Sequence, residues 1–186
     1  MRRCAVIGVM LLAGLSMATM AWGQGTPTAA PQGAGGGIVP GQAIGTFQLG
    51  EDVGQAVSTL GPVHSEDAVG KALKVEYWPL RRIGTVTDAS TNKIIALVVS
   101  MDDGYRTDKG IGAGAALDAI HSAYGTEDTT DSGQDHNVLV YDKLGIAFAV
   151  DTSGPLLGRV SEVYVFGPGQ YAKIFRQPTQ PSGSGG

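Results

Sequence analysis

The sequence predicts an α+β fold in which two tandem repeats, each a helix followed by three strands, form an antiparallel sheet with the helices on one face. Three observations predict it. Apolar residues recur at an offset of about 64 positions, each copy opens with apolar residues at helical spacing, and alternating apolar and polar runs follow. Because one helix and three strands bury little apolar surface, we expect the two copies to share one core.

The first element of each copy is a short helix. Residues Val53–Leu60 place apolar side chains at helical spacing, Glu51 and Asp52 precede them where the helix dipole favours negative charge, and Gly61 follows as a stop. Laying the second copy over the first predicts another helix at about residues 115–124. We therefore expect each repeat to begin with one helix.

Strands follow each helix. Leu73, Val75 and Tyr77 alternate with Lys74 and Glu76, which is the two-residue period of a half-buried strand. The same reasoning predicts further strands at about residues 83–87, 94–99, 138–141, 146–150 and 160–166. We expect the sheet face opposite the helices to be open to water or to a partner.

The first 23 residues have the order of a secretory signal peptide. Arg2 and Arg3 precede an apolar stretch, and small residues precede a polar Gln-Gly pair. Cleavage after Gly23 is favoured, with Ala21 as the second choice, and an uncleaved membrane anchor is the alternative. We expect an extracytoplasmic protein, periplasmic or secreted, with no membrane span in the mature chain.

Composition divides the rest of the chain. Residues 24–41 predict a flexible Gly/Pro/Ala-rich linker, residues 42–176 a duplicated domain with repeats at about 42–103 and 105–168, and residues 177–186 a disordered tail. Cys4 is the one cysteine and lies in the signal, so the mature chain can form no disulfide. Without the two signal arginines the chain has a net charge of −6, which argues against nucleic-acid binding.

The helix ending Leu60-Gly61-Pro62 and the aromatic pair Tyr77-Trp78 resemble the SmpA/OmlA (BamE-type) domain. The doubling is similar to the β-lactamase inhibitor protein fold, in which two copies form one long concave sheet. The resemblance implies helices before a three-stranded antiparallel sheet. The mature chain lacks the lipidated cysteine of the first family and the disulfides of the second. The resemblance therefore implies neither membrane tethering nor inhibition for this chain.

Motifs for cofactors and metals are weak. Gly110, Gly112 and Ala115 satisfy a dinucleotide-binding pattern, but the required apolar strand does not precede them. The acidic segment Glu127–Asn137 could hold calcium, yet it lacks the spacing of an EF-hand, and a solvated loop is the favoured interpretation. His121 is predicted to be a half-buried packing residue. We expect no cofactor, no metal and no enzymatic activity.

One cluster indicates binding. Tyr77, Trp78, Arg81 and Arg82 are candidate interaction residues, because these residue types dominate the energy of protein interfaces. For the cluster itself the favoured interpretation is that Trp78 covers the core and the arginines solvate a hairpin tip. We therefore predict an exported non-catalytic binding or scaffold module of the cell envelope or secreted fraction that contacts a protein partner. A periplasmic hydrolase inhibitor or a small hydrolase is the alternative, and the sequence does not predict the oligomeric state.

Overall fold

The computed structural model describes residues 36–63, 65–69, 72–100 and 104–176, and an eight-stranded antiparallel sheet dominates them. In spatial order its strands are β4 (Ser65–Val69), β5 (Leu73–Trp78), β6 (Ile83–Asp88), β7 (Lys93–Ser100), β12 (Val160–Phe166), β11 (Ile146–Asp151), β10 (His136–Tyr141) and β9 (Thr129–Ser132). A small second sheet has the order β3 (Phe47–Gln48), β2 (Ala43–Ile44), β1 (Gly37–Val39) and β8 (Arg106–Thr107). The helices are α1 (Val53–Leu60), α2 (Leu117–Tyr124) and α3 (Tyr171–Phe175).

The predicted fold class, two repeats of a helix and three strands, is wrong. The described residues contain 12 strands in two sheets and three short helices, so the fold is mostly β. The unpredicted strands carry little apolar pattern. The edge strands β4 and β9 are largely polar, and β1, β2, β3 and β8 have only two or three residues, so backbone pairing defines them. The antiparallel sheet itself is confirmed.

The large sheet has a symmetric order. Helix α1 precedes β4 to β7, α2 precedes β9 to β12, and the halves meet where β7 pairs with β12 at Val99 and Val163. Each half also has one register shift, next to Val86 in β6 and next to Ala149 in β11. Corresponding positions can therefore be read directly from the strand pairing.

Two hydrophobic cores lie on opposite faces of this sheet. The first lies under α1 and α2 and includes Trp78, Leu97, Tyr141 and Phe148. Ala96 neighbours Leu97 in β7 and belongs to the second core, because successive strand residues point to opposite faces. The second core also contains the Tyr171 and Ile174 side chains of α3, together with Leu73, Val86, Val138, Val140, Ala147, Ala149 and Phe166. The face expected to be open is thus partly covered by α3.

The N-terminal part of the described chain packs against both halves. Strand β1 lies between β2 and β8, although its residues belong to the predicted linker, and Ile38 is buried. The predicted signal peptide at residues 1–23 and the tail at residues 177–186 lie outside the described residues. No helix in the described ranges is long and apolar enough to cross a membrane.

Candidate interaction site at the β5–β6 turn

Trp78 is a core residue at the end of β5. It is 3% exposed, and its indole Nε1 donates a hydrogen bond of 2.9 Å to the carbonyl oxygen of Gly61, the C-terminal cap of α1. The bond satisfies a carbonyl that the helix leaves without an intrahelical donor. Trp78 therefore covers the core, as the favoured interpretation of the sequence predicts.

Tyr77 points to the other face of the sheet. Its hydroxyl lies 3.1 Å from Oγ of Ser100 on β7, and the side chain is half-buried. Alternation along β5 separates it from Trp78. The four predicted interaction residues consequently do not form one patch.

The arginines lie in the turn between β5 and β6. Trp78 and Ile83 pair across the hairpin, and the turn is closed by the Arg81 N–H, which donates to the Trp78 carbonyl at 3.0 Å. The Arg82 N–H donates to the Pro79 carbonyl at 3.2 Å, and Arg82 has a φ of 52°. Few residues other than glycine adopt this left-handed conformation. Both arginines are exposed, and Arg81 shares a groove with Trp78.

Leu80, at the tip of this turn, belongs to the predicted cluster but is not one of its four candidate interaction residues. Its side chain is 98% exposed. It borders a groove of 410 Å³, whose lining is Leu60, Pro62, Val63, Trp78, Pro79, Leu80 and Arg81. Its exposure could have been predicted from the sequence. A leucine that follows Pro79 in a hairpin turn has no neighbouring element against which to be buried. We call this feature the Leu80 groove.

The corresponding turn between β10 and β11 packs against the chain itself. Tyr141 takes the place of Trp78, and its hydroxyl donates to the carbonyl oxygen of Gly125, the cap of α2, at 2.8 Å. Gly145 takes the place of Arg82 and accepts a hydrogen bond of 3.1 Å from the Gly41 N–H. Pro168 also lies beside Gly41. This turn thus receives the segment that follows β1.

A buried carboxylate is a feature that the sequence interpretation missed. Glu76 on β5 is 4% exposed, and its Oε2 accepts hydrogen bonds from Thr85 Oγ1 at 2.8 Å and Thr87 Oγ1 at 3.3 Å. The alternation of apolar and polar residues in this strand predicted that Glu76 would lie on the face exposed to solvent. The corresponding positions in β10 and β11 are Leu139, Phe148 and Val150. Only the first half of the sheet therefore carries this polar trio.

His121 is exposed, contrary to its predicted packing role. Its Nε2 lies 3.1 Å from Oε2 of Glu127, while Thr130 Oγ1 donates to the other carboxylate oxygen at 2.9 Å. The pKa of the Glu127 carboxyl is lowered by its own backbone N–H, and Thr130 and His121 add to the effect. The pair joins the end of α2 to the start of β9.

The acidic segment predicted as a solvated loop contains β9 and has partners for its acids. Asp128 accepts from Lys143 Nζ at 2.7 Å, and Asp131 accepts from Arg176 Nε at 2.8 Å. The described stretches contain no group of three or more histidine, cysteine, aspartate or glutamate residues placed to hold a metal ion. His64 lies outside them. These acids therefore fasten β9 to the β10–β11 turn and to the end of α3.

Comparison with known proteins gives structural similarities of low identity. No family model and no curated protein matches the chain. A cysteine-rich secretory protein (SAV1118) from Staphylococcus aureus has a TM-score of 0.47 at 13% identity, covering 75% of this chain and 51% of that one. An extracellular protein containing an SCP domain from Bacillus anthracis has a TM-score of 0.47 at 7% identity, covering 72% and 50%.

A DUF4309 family protein (YjgB) from Bacillus subtilis has a TM-score of 0.40 at 11% identity, covering 63% of this chain and 78% of that one. The chain matches about half the length of the first two proteins, which are described as secretory or extracellular. None of the three is described as a SmpA/OmlA domain or a β-lactamase inhibitor protein. The resemblance to those families stays a prediction.

Proposed function

We propose that this chain is an exported, non-catalytic binding module that contacts a protein partner through the Leu80 groove. The observation that carries the proposal is the 98% exposure of Leu80 beside an apolar groove. Single exposed leucines are common on protein surfaces. This one stands next to Arg81, a residue type that is enriched in interface hot spots, and both line the same groove.

The groove is preorganised. Its floor is Trp78, which the hydrogen bond to Gly61 holds under α1, and its apolar wall is formed by Leu60, Pro62 and Val63. A rigid site loses less conformational entropy on binding than a mobile one. Because Arg81 also lines the groove, the partner that fits best is a segment with one apolar side chain for the groove and a neighbouring acid.

The second half of the sheet shows the corresponding turn in contact with another part of the chain. There it packs against the turn between β1 and β2 at Gly41, which donates to Gly145 and lies beside Pro168. A turn of this design thus already contacts another segment within the same chain. In our proposal the first half offers the same kind of turn to a segment of another protein.

Export and duplication belong to the same proposal. Residues 1–23 would direct the chain out of the cytoplasm, and the module would act in the periplasm or the secreted fraction. A duplication, revised to one helix and four strands in each copy, is supported by the symmetric strand order and by the matched register shifts. After duplication, one turn would serve internal packing and the other would serve recognition.

The proposal is tested with matched surface variants. The mature protein is immobilised and exposed to envelope and secreted fractions, captured proteins are identified by mass spectrometry, and affinities are measured with the purified partner. Leu80→Asp should weaken binding at least about tenfold, because it removes an apolar anchor. Leu157→Asp is the control, since Leu157 is 65% exposed elsewhere. Equal affinity of the Leu80→Asp and Leu157→Asp proteins would contradict the proposal, as would the absence of any specific partner.

The alternative of a hydrolase inhibitor is decided by the same material. If the captured partner is a hydrolase, its activity is measured with the wild-type protein and with Leu80→Asp. Inhibition by the wild type alone would make the module an inhibitor that uses the same groove. Unchanged activity would make it a scaffold.

A further inference from the structure

A second cavity lies between α3 and the ends of β5, β6 and β7. Its volume is 380 Å³, and Leu49, Leu73, Ile95 and Ile174 contribute to its apolar wall, while Lys93 and Lys173 also line it. We call it the α3 pocket. Ligand pockets in proteins span roughly 300–1,000 Å³ and are mostly apolar with a few polar groups. The α3 pocket therefore has the size of a site for a small molecule.

The apolar lining is particular to the first half of the sheet. The strand pairing aligns Ala72, Leu73 and Ile95 with Asp135, His136 and Ser161 of the second half. In that half the polar groups bind one another, for example Ser161 Oγ and Asp151 Oδ1 at 2.6 Å. The position itself therefore does not require apolar residues.

Packing of α3 accounts for only part of this apolar surface. Leu73 and Ile174 are buried in the same core, the second one, with exposures of 7% and 6%. Ile95 remains half-buried and Ala72 is exposed, and both border the cavity. The helix thus forms a wall of the pocket and leaves its interior unfilled.

The charges at the pocket favour an anion. Lys93 and Lys173 are both exposed and both line it. Among the described residues of the lining, Asp88 is the one carboxylate, and its Oδ1 accepts from Ser90 N at 2.9 Å, Ser90 Oγ at 2.5 Å and Thr91 N at 3.0 Å. The described lining therefore carries two ammonium groups and one carboxylate.

We propose that the α3 pocket binds a small amphiphilic anion, an aliphatic or aryl carboxylate. Its apolar body would lie against Leu73 and Ile95, and its carboxylate would meet the ammonium groups of Lys93 and Lys173. The volume of 380 Å³ selects a short body over a long-chain lipid. This site is separate from the Leu80 groove and does not depend on the function proposed for it.

Three eight-carbon probes test the chemistry of the ligand. Octanoate, octylamine and octan-1-ol are titrated into the mature protein, and binding is followed by calorimetry and by the unfolding temperature. A ligand that binds only the native state raises that temperature, and the rise grows with the logarithm of one plus the ratio of free ligand concentration to Kd. Octanoate should bind saturably and raise it, octan-1-ol should bind more weakly, and octylamine should not bind. Absence of octanoate binding, or equal binding of octanoate and octylamine, would overturn the proposal.

Variants place the binding in the α3 pocket. Lys93→Gln combined with Lys173→Gln should weaken octanoate about tenfold or more, because each charge-assisted contact is lost. Lys109→Gln, which neutralises a lysine outside the pocket, should bind as the wild type does. Ala72→Trp should abolish binding by filling the cavity, and circular dichroism checks that each variant is folded. Wild-type affinity in the double lysine variant would refute the site, whereas Leu80→Asp should leave octanoate binding unchanged.

Discussion

The indole N–H of Trp78 donates to the carbonyl oxygen of Gly61 at 2.9 Å, so the end of β5 is tied to the cap of α1. Tyr141 makes the corresponding bond to Gly125 at 2.8 Å below α2. Burial, with Glu127 and Tyr124 contributing, raises the pKa of Tyr141 to about 12, so its hydroxyl is a donor at neutral pH. Two different aromatic residues thus perform one structural task in the two halves.

Removing the Tyr141 hydroxyl tests this task most cleanly. Tyr141→Phe should lower the free energy of unfolding by about 1 kcal/mol, because the Gly125 carbonyl loses a partly buried donor. Urea denaturation measures the change. Tyr77→Phe is the control, because its hydroxyl contacts Ser100 on the other face of the sheet. Tyr77 is half-buried whereas Tyr141 is buried, so this substitution should lower the free energy of unfolding by less than about 0.5 kcal/mol. Equal effects of the two substitutions would contradict the assignment.

The trio around Glu76 should show strong non-additivity. Glu76→Leu alone should destabilise the protein by about 1–3 kcal/mol. Thr85 loses its buried acceptor, and Thr87 keeps only the Lys74 carbonyl oxygen at 3.4 Å. Adding Thr85→Val and Thr87→Val should restore at least about 1 kcal/mol, since replacing every member of a buried polar group is often neutral. Chemical denaturation of the single and triple variants decides it. A triple variant less stable than the single one would show that the hydroxyls have other essential partners.

The β10–β11 turn should not tolerate a side chain at Gly145. Gly145 has a φ of 73°, and a Cβ there would lie 2.2 Å from the Phe166 carbonyl oxygen and 2.7 Å from the Gly41 Cα. Gly145→Ala should therefore cost about 3 kcal/mol or more. Gly154 has the same φ of 73° with no atom within 4 Å, so Gly154→Ala should cost only about 1–2 kcal/mol. Thermal unfolding compares them, and similar losses would refute the close packing of Gly41.

Arg176 and Asp131 should make the docking of α3 dependent on pH. The Arg176 hydrogen bond lowers the pKa of Asp131 below its usual 3.8. Because the folded-state pKa is lowered, the stabilisation is complete above the usual pKa of 3.8 and is lost as the pH falls through the lower folded-state pKa. Because both side chains are partly exposed, solvent screens the pair, and Arg176→Ala should lower the free energy of unfolding only slightly at pH 7.

The pH profile separates this ion pair from simple packing by the arginine. Urea denaturation of the wild type and Arg176→Ala is compared from pH 7 down to pH 3. The difference between them should narrow below pH 3.8 as Asp131 becomes protonated. A difference that stays constant with pH would mean that Arg176 contributes through its apolar stem alone.

The inner strands and the ends of helices α1 and α2 were predictable from the sequence, but the number of strands was not. Periodicity located β5, β6, β7, β10, β11 and β12, because each packs at least one face into a core. The edge strands β4 and β9 pair through their backbones and expose polar side chains, as at Glu66 and Thr130. Helix α3 has only five residues, too few for a helical period to be recognised.

The candidate site was only partly predictable for a related reason. The cluster of Tyr77, Trp78, Arg81 and Arg82 was predicted, but the offset of 64 positions matches Tyr77 with Tyr141, whereas the strand pairing matches Trp78 with Tyr141. A shift of one residue exchanges the two faces of a strand. Tyr77 was therefore grouped with the groove although it lies on the opposite face, and Glu76 was expected to face solvent although it is buried.

Photo-crosslinking at the turn tests the central proposal most directly. The photoreactive residue p-benzoylphenylalanine is introduced in place of Leu80, or in place of the exposed Leu157 as the control, in the full chain expressed in its own cells. If the Leu80 groove holds a protein partner, irradiation should give one discrete adduct from position 80 and none of that mass from position 157. No adduct from position 80, or the same adducts from both positions, would contradict the proposal.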